Sequence, residues 1–401
     1  MNQPSQSSPV LQSELILPCG AILKNRLAKS PMSDSLGDGE GNPTGAQIRL
    51  YKRWAEGGTA LSFIGEVQID YRFPEKPGNL VLGEASNQSL LQLLSTKSSI
   101  DGAHIWPQIG HAGALSHAPI SQPKGPSALD LEGLHCASMS IEEIQELPNL
   151  YAKAALHAKD VGFTGVHIHA GHGFLLSQFL SPLFNHRDDA YGGSIDGRVR
   201  VVLEIISEVR RAVGSSFPVG IRINSTDLLE GGLTQLDALE VVRALDKTSI
   251  DLIDISGGTY FPGAKASSDS GGSGPYFLDF AKLAKDITNI PLMLTGGFKT
   301  RQHAIDAMAT GAIDVVGLGR AMALNHQLAQ DWLCDEGGDP TFPKFESTVP
   351  GGVTAWYTMR LTALGENREH EFDMDLATAI EQYDERDDQR CIVWNKRFSQ
   401  T

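Results

Sequence analysis

Short apolar runs alternate with helix-like runs along most of this chain. The apolar runs begin with a first strand ending near Met32. They continue with LSFIGEVQI near 61–69, HIWPQIG near 104–110, GVHIH over 165–169 and PVGIRIN over 218–224. DLIDIS over 251–256, IPLMLTGG over 290–297 and IDVVGLG over 313–319 complete a set of eight. Between them, apolar residues return every three or four positions, which predicts amphipathic helices. IEEIQELPNLYAKAALHAKDVG is one, interrupted at Pro148; RVRVVLEIISEVRRAVG, LDALEVVRALDK and RQHAIDAMATG are others. Strands alternating with helices imply a parallel sheet. Eight such units predict a closed (β/α)8 TIM barrel, an α/β fold, rather than an open sheet.

The ends read differently. Residues 1–13 are polar and predict a flexible arm, and ELILPCGAILKNRLAKSPMS predicts an N-terminal hairpin over the barrel floor before the first strand. The barrel then spans about 14–326, and residues from about 327 to 401 predict a C-terminal helical extension. The extension contains AWYTMRLTALG and is expected to pack on the barrel or on a partner subunit. No second-domain signature breaks 1–401, so one domain is expected. Two long stretches, 112–140 and 257–277, lack a regular period. Both follow predicted strands, which places them at the catalytic end of a barrel.

Composition narrows the picture. A chain of 401 residues holds two or three ordinary domains or one large barrel. With 41% hydrophobic and 20% charged residues, a sizeable core is expected and global disorder is not. Lys+Arg number 33 against 48 Asp+Glu, a net charge of −15. That balance argues against nucleic acid and anionic membranes as partners, while leaving room for a local basic pocket. The four cysteines, Cys19, Cys136, Cys334 and Cys391, are scattered with no CxxC. They fit free thiols in a reducing cytoplasm and exclude a local iron–sulfur cluster. MNQPSQSSPVLQSE lacks an apolar signal-peptide core, and no run of about 18 apolar residues predicts a membrane span.

The candidate chemistry gathers at strand ends. LTGGFKT follows strand 7 and GLGRAM follows strand 8. Gly296, Gly297 and Gly319 let backbone N–H groups approach an anion, and Arg320 adds a charge-assisted contact. Barrels often bind phosphate there, although two ordinary strand-to-helix turns read the same way. Alternation in IRIN sets Arg222 and Asn224 on one face, where Arg222 is either a ligand contact or half of a buried ion pair. The same alternation sets His167 and His169 on one face of strand 4, with Val166 and Ile168 turned to the helices. His172 follows in the loop. HAGH lacks the helical spacing of an HExxH zinc pair, so no metal is expected.

NRLAKSPM, YKRWAEGG, QIGHAG, IRIN, GLGR and the segment GVHIHAGHGFLLSQFLSPLFNHRDDAYGGSIDGRVR (165–200) run from about Asn25 to Arg320. This set resembles the old yellow enzyme family, FMN-dependent barrels that reduce activated C=C bonds and other electrophiles. The resemblance implies FMN as cofactor and NAD(P)H as reductant. It implies that Pro31, Met32 and Ser33 line one edge of the flavin and that Gln108 pairs with its pyrimidine edge. It places Arg222 near the flavin N1–C2=O region. It assigns His169 and His172 to the acceptor's carbonyl or nitro oxygen, where negative charge collects as hydride arrives.

Three positions depart from the family pattern. His167 stands in place of a buried acid, so its polar partners must differ. Ala114 stands where an arginine often follows HAG, leaving His111 as a further polar candidate. Phe174 stands where a tyrosine ordinarily donates the proton. Either water or another side chain then protonates the alkene, or the substrate differs, or alkene reduction is slow. The function expected is an FMN-dependent oxidoreductase that uses NAD(P)H to reduce small electron-poor alkenes, quinones or related acceptors. The alternatives are another flavin reaction, dehydrogenation or oxidation, and a nearly inactive flavin protein acting through protein contacts. A homo-oligomer is compatible with the sequence.

Overall fold

The computed structural model describes residues 10–262, 264, 274–345 and 349–398. Its centre is a sheet of eight parallel barrel strands. They are β1 (Leu27–Lys29), β2 (Leu61–Gln68), β3 (His104–Gly110), β4 (Val166–Ala170), β5 (Val219–Asn224), β6 (Leu252–Ser256), β7 (Leu292–Thr295) and β8 (Val315–Leu318). Each pairs in parallel with the next. β8 returns to β1, with Val316 opposite Leu27, which closes the barrel. This is the (β/α)8 architecture the alternating pattern predicts.

The strands are short and almost wholly buried because helices cover their outer ends. Val166 and Ile168 of β4 join an apolar layer with Val199, Val202 and Ile206. That last group lies on the helix α1 (Ile195–Val213), whose Ser194 side chain accepts from Gly197 N–H as its N-cap. The predicted helix around Pro148 is not interrupted. It runs as one helix, Ile141–Asp160, opened by a reciprocal capping box between Ser140 and Glu143. Buried Leu147, Tyr151 and Ala155 on either side of the proline keep it docked, so tertiary packing overrides the lost N–H.

The hairpin Leu15–Ile16/Ile22–Leu23 lies at the floor. Leu17 and Leu23 pack there on Phe63, Trp106 and Met293 at the barrel's lower end. Residues 1–9 of the expected flexible arm lie outside the described residues. Residues 10–13 do not behave as an arm: Leu11 is buried, its carbonyl accepts from Arg26 N–H, and Arg26 Nε donates to the Ser13 carbonyl.

The 112–140 stretch, which shows no regular period in sequence, does hold regular structure. It carries a small sheet of Lys124–Gly125, Leu129–Leu131 and Leu134–Ser138. Leu129 and Leu134 bury themselves with Phe184 and Phe261 in a satellite core, which holds the segment without a long period. Within 257–277, positions 263 and 265–273 lie outside the described residues. The C-terminal extension forms helices α2 (Leu328–Cys334), α3 (Gly352–Gly365) and α4 (Leu376–Phe398). Among the described residues no helix is long and apolar enough to cross a membrane.

Candidate functional site

A cavity of about 620 Å³ opens at the carboxyl ends of the strands. That volume suits a small-molecule or cofactor site. Pro31, Met32, Ser33, Gln108, His172, Phe174, Arg222, Gly296, Gly297, Gly319 and Arg320 all line it. The fold thus gathers eleven of the twelve sequence-predicted residues on one wall system. His169 is set back. It is 1% exposed and reaches the cavity through ring contacts with His172 and Phe174.

The histidines sit in a hydrogen-bonded row. A register irregularity in β2 between Ile64 and Val67 re-aims Glu66 toward β4. The Glu66 carboxyl lies 3.2 Å from His169 Nδ1. His169 Nε2 lies 3.4 Å from His172 Nδ1, and His172 Nε2 lies 2.9 Å from Ser256 Oγ. Burial pushes the Glu66 carboxyl up to about 8, opposed by Arg222. Burial, and then the Arg222 charge, holds both imidazoles well below the usual histidine range. A neutral Glu66 therefore donates to His169 Nδ1. That leaves an N–H on each Nε2, aimed along the row. His172 itself takes φ +61°, a left-handed conformation costly for a residue with a Cβ. Two bonds hold it: its N–H donates to Asn224 Oδ1 at 3.0 Å, and its carbonyl accepts from Tyr260 N–H at 3.0 Å.

Parallel register sets His169 beside Arg222 and Arg222 beside Asp254. Arg222 Nε donates to Asp254 Oδ2 at 2.8 Å, and Nη2 donates to Thr295 Oγ1 at 3.1 Å. Arg222 is thus both readings at once, a buried ion pair and a cavity-wall cation. Its Nη1 has no hydrogen-bond partner among the described residues. Gln108 Nε2 donates to His167 Nδ1 at 3.0 Å, so the replaced acid at 167 has found an amide partner. His111 is turned elsewhere. Its Nδ1 accepts from Gly113 N–H, its ring stacks on Phe73, and burial pushes it down to about 4. Its role is structural.

At the opposite corner, Gly296 and Gly297 take φ +117° and +86°. A Cβ on Gly297 would lie 2.0 Å from the Gly274 carbonyl, so only glycine fits that turn. Arg320 stacks over the Tyr357 ring at 5.7 Å and has no carboxylate partner among the described residues. In a chain of net charge −15, an arginine in a cavity with no carboxylate partner among the described residues has the chemistry to take an anion.

Sequence reading missed Glu66, Asp254, Ser256, Tyr260 and Thr295. Asp254 and Thr295 carried a signal: each breaks an apolar strand at an inward position. Tyr357, Thr358 and Tyr383 of the extension also line the cavity, and nothing local announced them.

The model of the NADH:flavin oxidoreductase / NADH oxidase family matches residues 20–332. The NADH-dependent flavin oxidoreductase iliE of Hypocrea jecorina (strain QM6a) is 34% identical over 78% of this chain and 86% of its own length. An NADPH dehydrogenase of Clostridium acetobutylicum is 28% identical over 76% of this chain and 88% of its own. The solved old yellow enzyme homologue from Zymomonas mobilis superposes with a TM-score of 0.71 at 21% identity. It covers 86% of this chain and 99% of that one, and supports the fold. FMN is the family's cofactor, and the residues present fit it. The glycine turn and unpaired Arg320 suit its phosphate, while Arg222 Nη1 and the Gln108 amide offer polar partners to a ring. The chain belongs to the NADH:flavin oxidoreductase / NADH oxidase family, that of old yellow enzyme, and is an FMN-binding oxidoreductase drawing electrons from NADH or NADPH.

Proposed function

We propose that this protein reduces small electron-poor alkenes, quinones and related acceptors. When bound, FMN supplies the hydride it has taken from NADH or NADPH. His172, backed by His169, holds the acceptor's oxygen and stabilises the charge that develops there. Arg222 and Gln108 contact the polar edge of the flavin, Pro31, Met32 and Ser33 line its side, and Gly296, Gly297, Gly319 and Arg320 hold the phosphate. Phe174 is an apolar wall at the position beside the histidines and carries no proton to give. The extension contributes to the same cavity, which supports reading 1–401 as one functional unit.

The observation that carries this reading is the Glu66–His169–His172–Ser256 row opening on the cavity that also holds Arg222 and Arg320. The experiment is a stopped-flow acceptor panel on the purified protein. Denaturation should release FMN, NADH or NADPH should bleach its absorbance, and 2-cyclohexenone or menadione should restore it. A protein that is bleached but restored by oxygen alone would favour an oxidase instead.

A further inference from the structure

Alkene reduction places hydride on one carbon and a proton on its neighbour. The second transfer needs an acidic O–H or N–H beside the acceptor. Phe174 is 3% exposed and packs against His169 with ring centroids 4.8 Å apart. It cannot serve. Glu66 is committed to His169, and Glu75 to Ser33 and Asn79.

Four tyrosines line the cavity: Tyr260, Tyr276, Tyr357 and Tyr383. Tyr276 packs edge-on against Phe277, Tyr357 lies under Arg320 at the phosphate corner, and Tyr383 lies under Lys76. Tyr260 alone of the four touches the histidine wall, with centroids 5.7 Å from His172 and 5.8 Å from Phe174. Its backbone is tied there. Tyr260 N–H donates to the His172 carbonyl at 3.0 Å, and Thr259 bridges His172 in parallel. Tyr260 is exposed, and its hydroxyl has no hydrogen-bond partner among the described residues.

We propose that Tyr260 is the catalytic acid for alkene reduction, supplying from the loop after β6 the proton that position 174 lacks. The inference rests on the alkene-reductase reading given above. As the phenol O–H breaks, the enolate electron pair takes the proton and the new C–H bond forms at the α-carbon. The acceptor oxygen returns to a carbonyl, and water reprotonates the phenolate. Desolvation, followed by the Glu75 and Glu66 charges, raises its hydroxyl above the ordinary tyrosine value. The phenol thus stays protonated through neutral pH while remaining a stronger acid than the α-C–H it forms.

The test uses the FMN-loaded full-length protein in native, Tyr260→Phe and Tyr260→Phe/Phe174→Tyr forms. Reoxidation by 2-methyl-2-cyclohexenone is compared with reoxidation by menadione, whose protons go to oxygen. Tyr260→Phe should lower the alkene rate relative to the menadione rate by about 10²–10⁴-fold. In D₂O the native product should carry deuterium on one face of the α-carbon, and the Tyr260→Phe product on both. Adding Phe174→Tyr should restore the rate ratio and the single face. An unchanged rate ratio with unchanged facial selectivity in Tyr260→Phe would overturn the assignment. So would an equal loss on both acceptors with the single face retained, which marks a structural role. A native protein that is reoxidised by menadione and by no alkene would overturn the alkene reading, and this inference with it.

Discussion

The side-chain amide of Gln108 donates to Nδ1 of His167 across 3.0 Å. With Nδ1 accepting, the imidazole proton sits on Nε2, 3.8 Å from Asp254 Oδ2 and beyond hydrogen-bond reach. Burial, then Arg222 and His169, keeps the ring far below the usual histidine range, so it is neutral. A neutral ring here leaves Asp254 to Arg222 and the Thr295 hydroxyl. It also fixes the amide, whose Nε2 is the atom turned to His167.

His167→Ala should therefore free the Gln108 amide and weaken flavin binding. A lost hydrogen bond of about 0.5–1.5 kcal/mol corresponds to a two- to tenfold rise in Kd. FMN and riboflavin should lose affinity by the same factor, because both share the ring edge. Fluorescence titration of the stripped protein with each flavin checks this. A loss confined to FMN would disprove the coupling.

Arg320→Ala should do the reverse. Removing a charge-assisted phosphate contact of about 1.5–3 kcal/mol should raise the FMN Kd by roughly 10- to 150-fold. Riboflavin, which has no phosphate, should be nearly unaffected. Equal losses for the two ligands would move the phosphate away from Arg320.

The barrel was legible because its strands, covered on both faces, appear as dense apolar runs. The inward residues were legible where they interrupt those runs, as at His167, His169 and Arg222. Three things were not. Glu66 turns toward His169 only because β2 is irregular at that point, which no period reveals. The Arg222–Asp254 pair depends on the register of β5 against β6, a long-range property. The segment 112–140 looks irregular because its order comes from Phe184 and Phe261, far along the chain. Pro148 misled in the other direction, since local propensity lost to packing.

Ile168 supplies a check on the packing account. It is fully buried on the helical side of β4, opposite the histidine face. Ile168→Ala should cost about 2–5 kcal/mol of stability, read by urea unfolding. FMN affinity of the folded fraction should change little, because the side chain points away from the cavity. A variant with native stability would contradict the packing of β4 against its helices.

Glu66 makes stability depend on pH in a defined direction. Its folded carboxyl is pushed up to about 8, chiefly by burial, against about 4.3 for an unfolded glutamate. Between those values the folded state holds a proton that the unfolded state has released. Stability from this group is therefore complete below about pH 4 and is lost as pH rises through the folded value. Glu75, pushed up to about 7 chiefly by burial, adds the same sign. The buried histidines run the other way, since folding keeps them neutral while the unfolded chain still binds protons below about 6.5. Lys29, pushed down to about 7 by burial, acts mainly above neutrality. The native slope is thus a sum, and the variant Glu66→Gln isolates one part of it. Glutamine keeps a donor to His169 Nδ1 but does not titrate. Urea unfolding of the stripped protein at pH 5, 6 and 7 should show native stability falling relative to Glu66→Gln at each step. A difference between the two that stays constant across this range would mean that Glu66 is already ionised at pH 5. The His169–His172 row would then be polarised in the opposite sense, with both Nδ1 atoms carrying the protons.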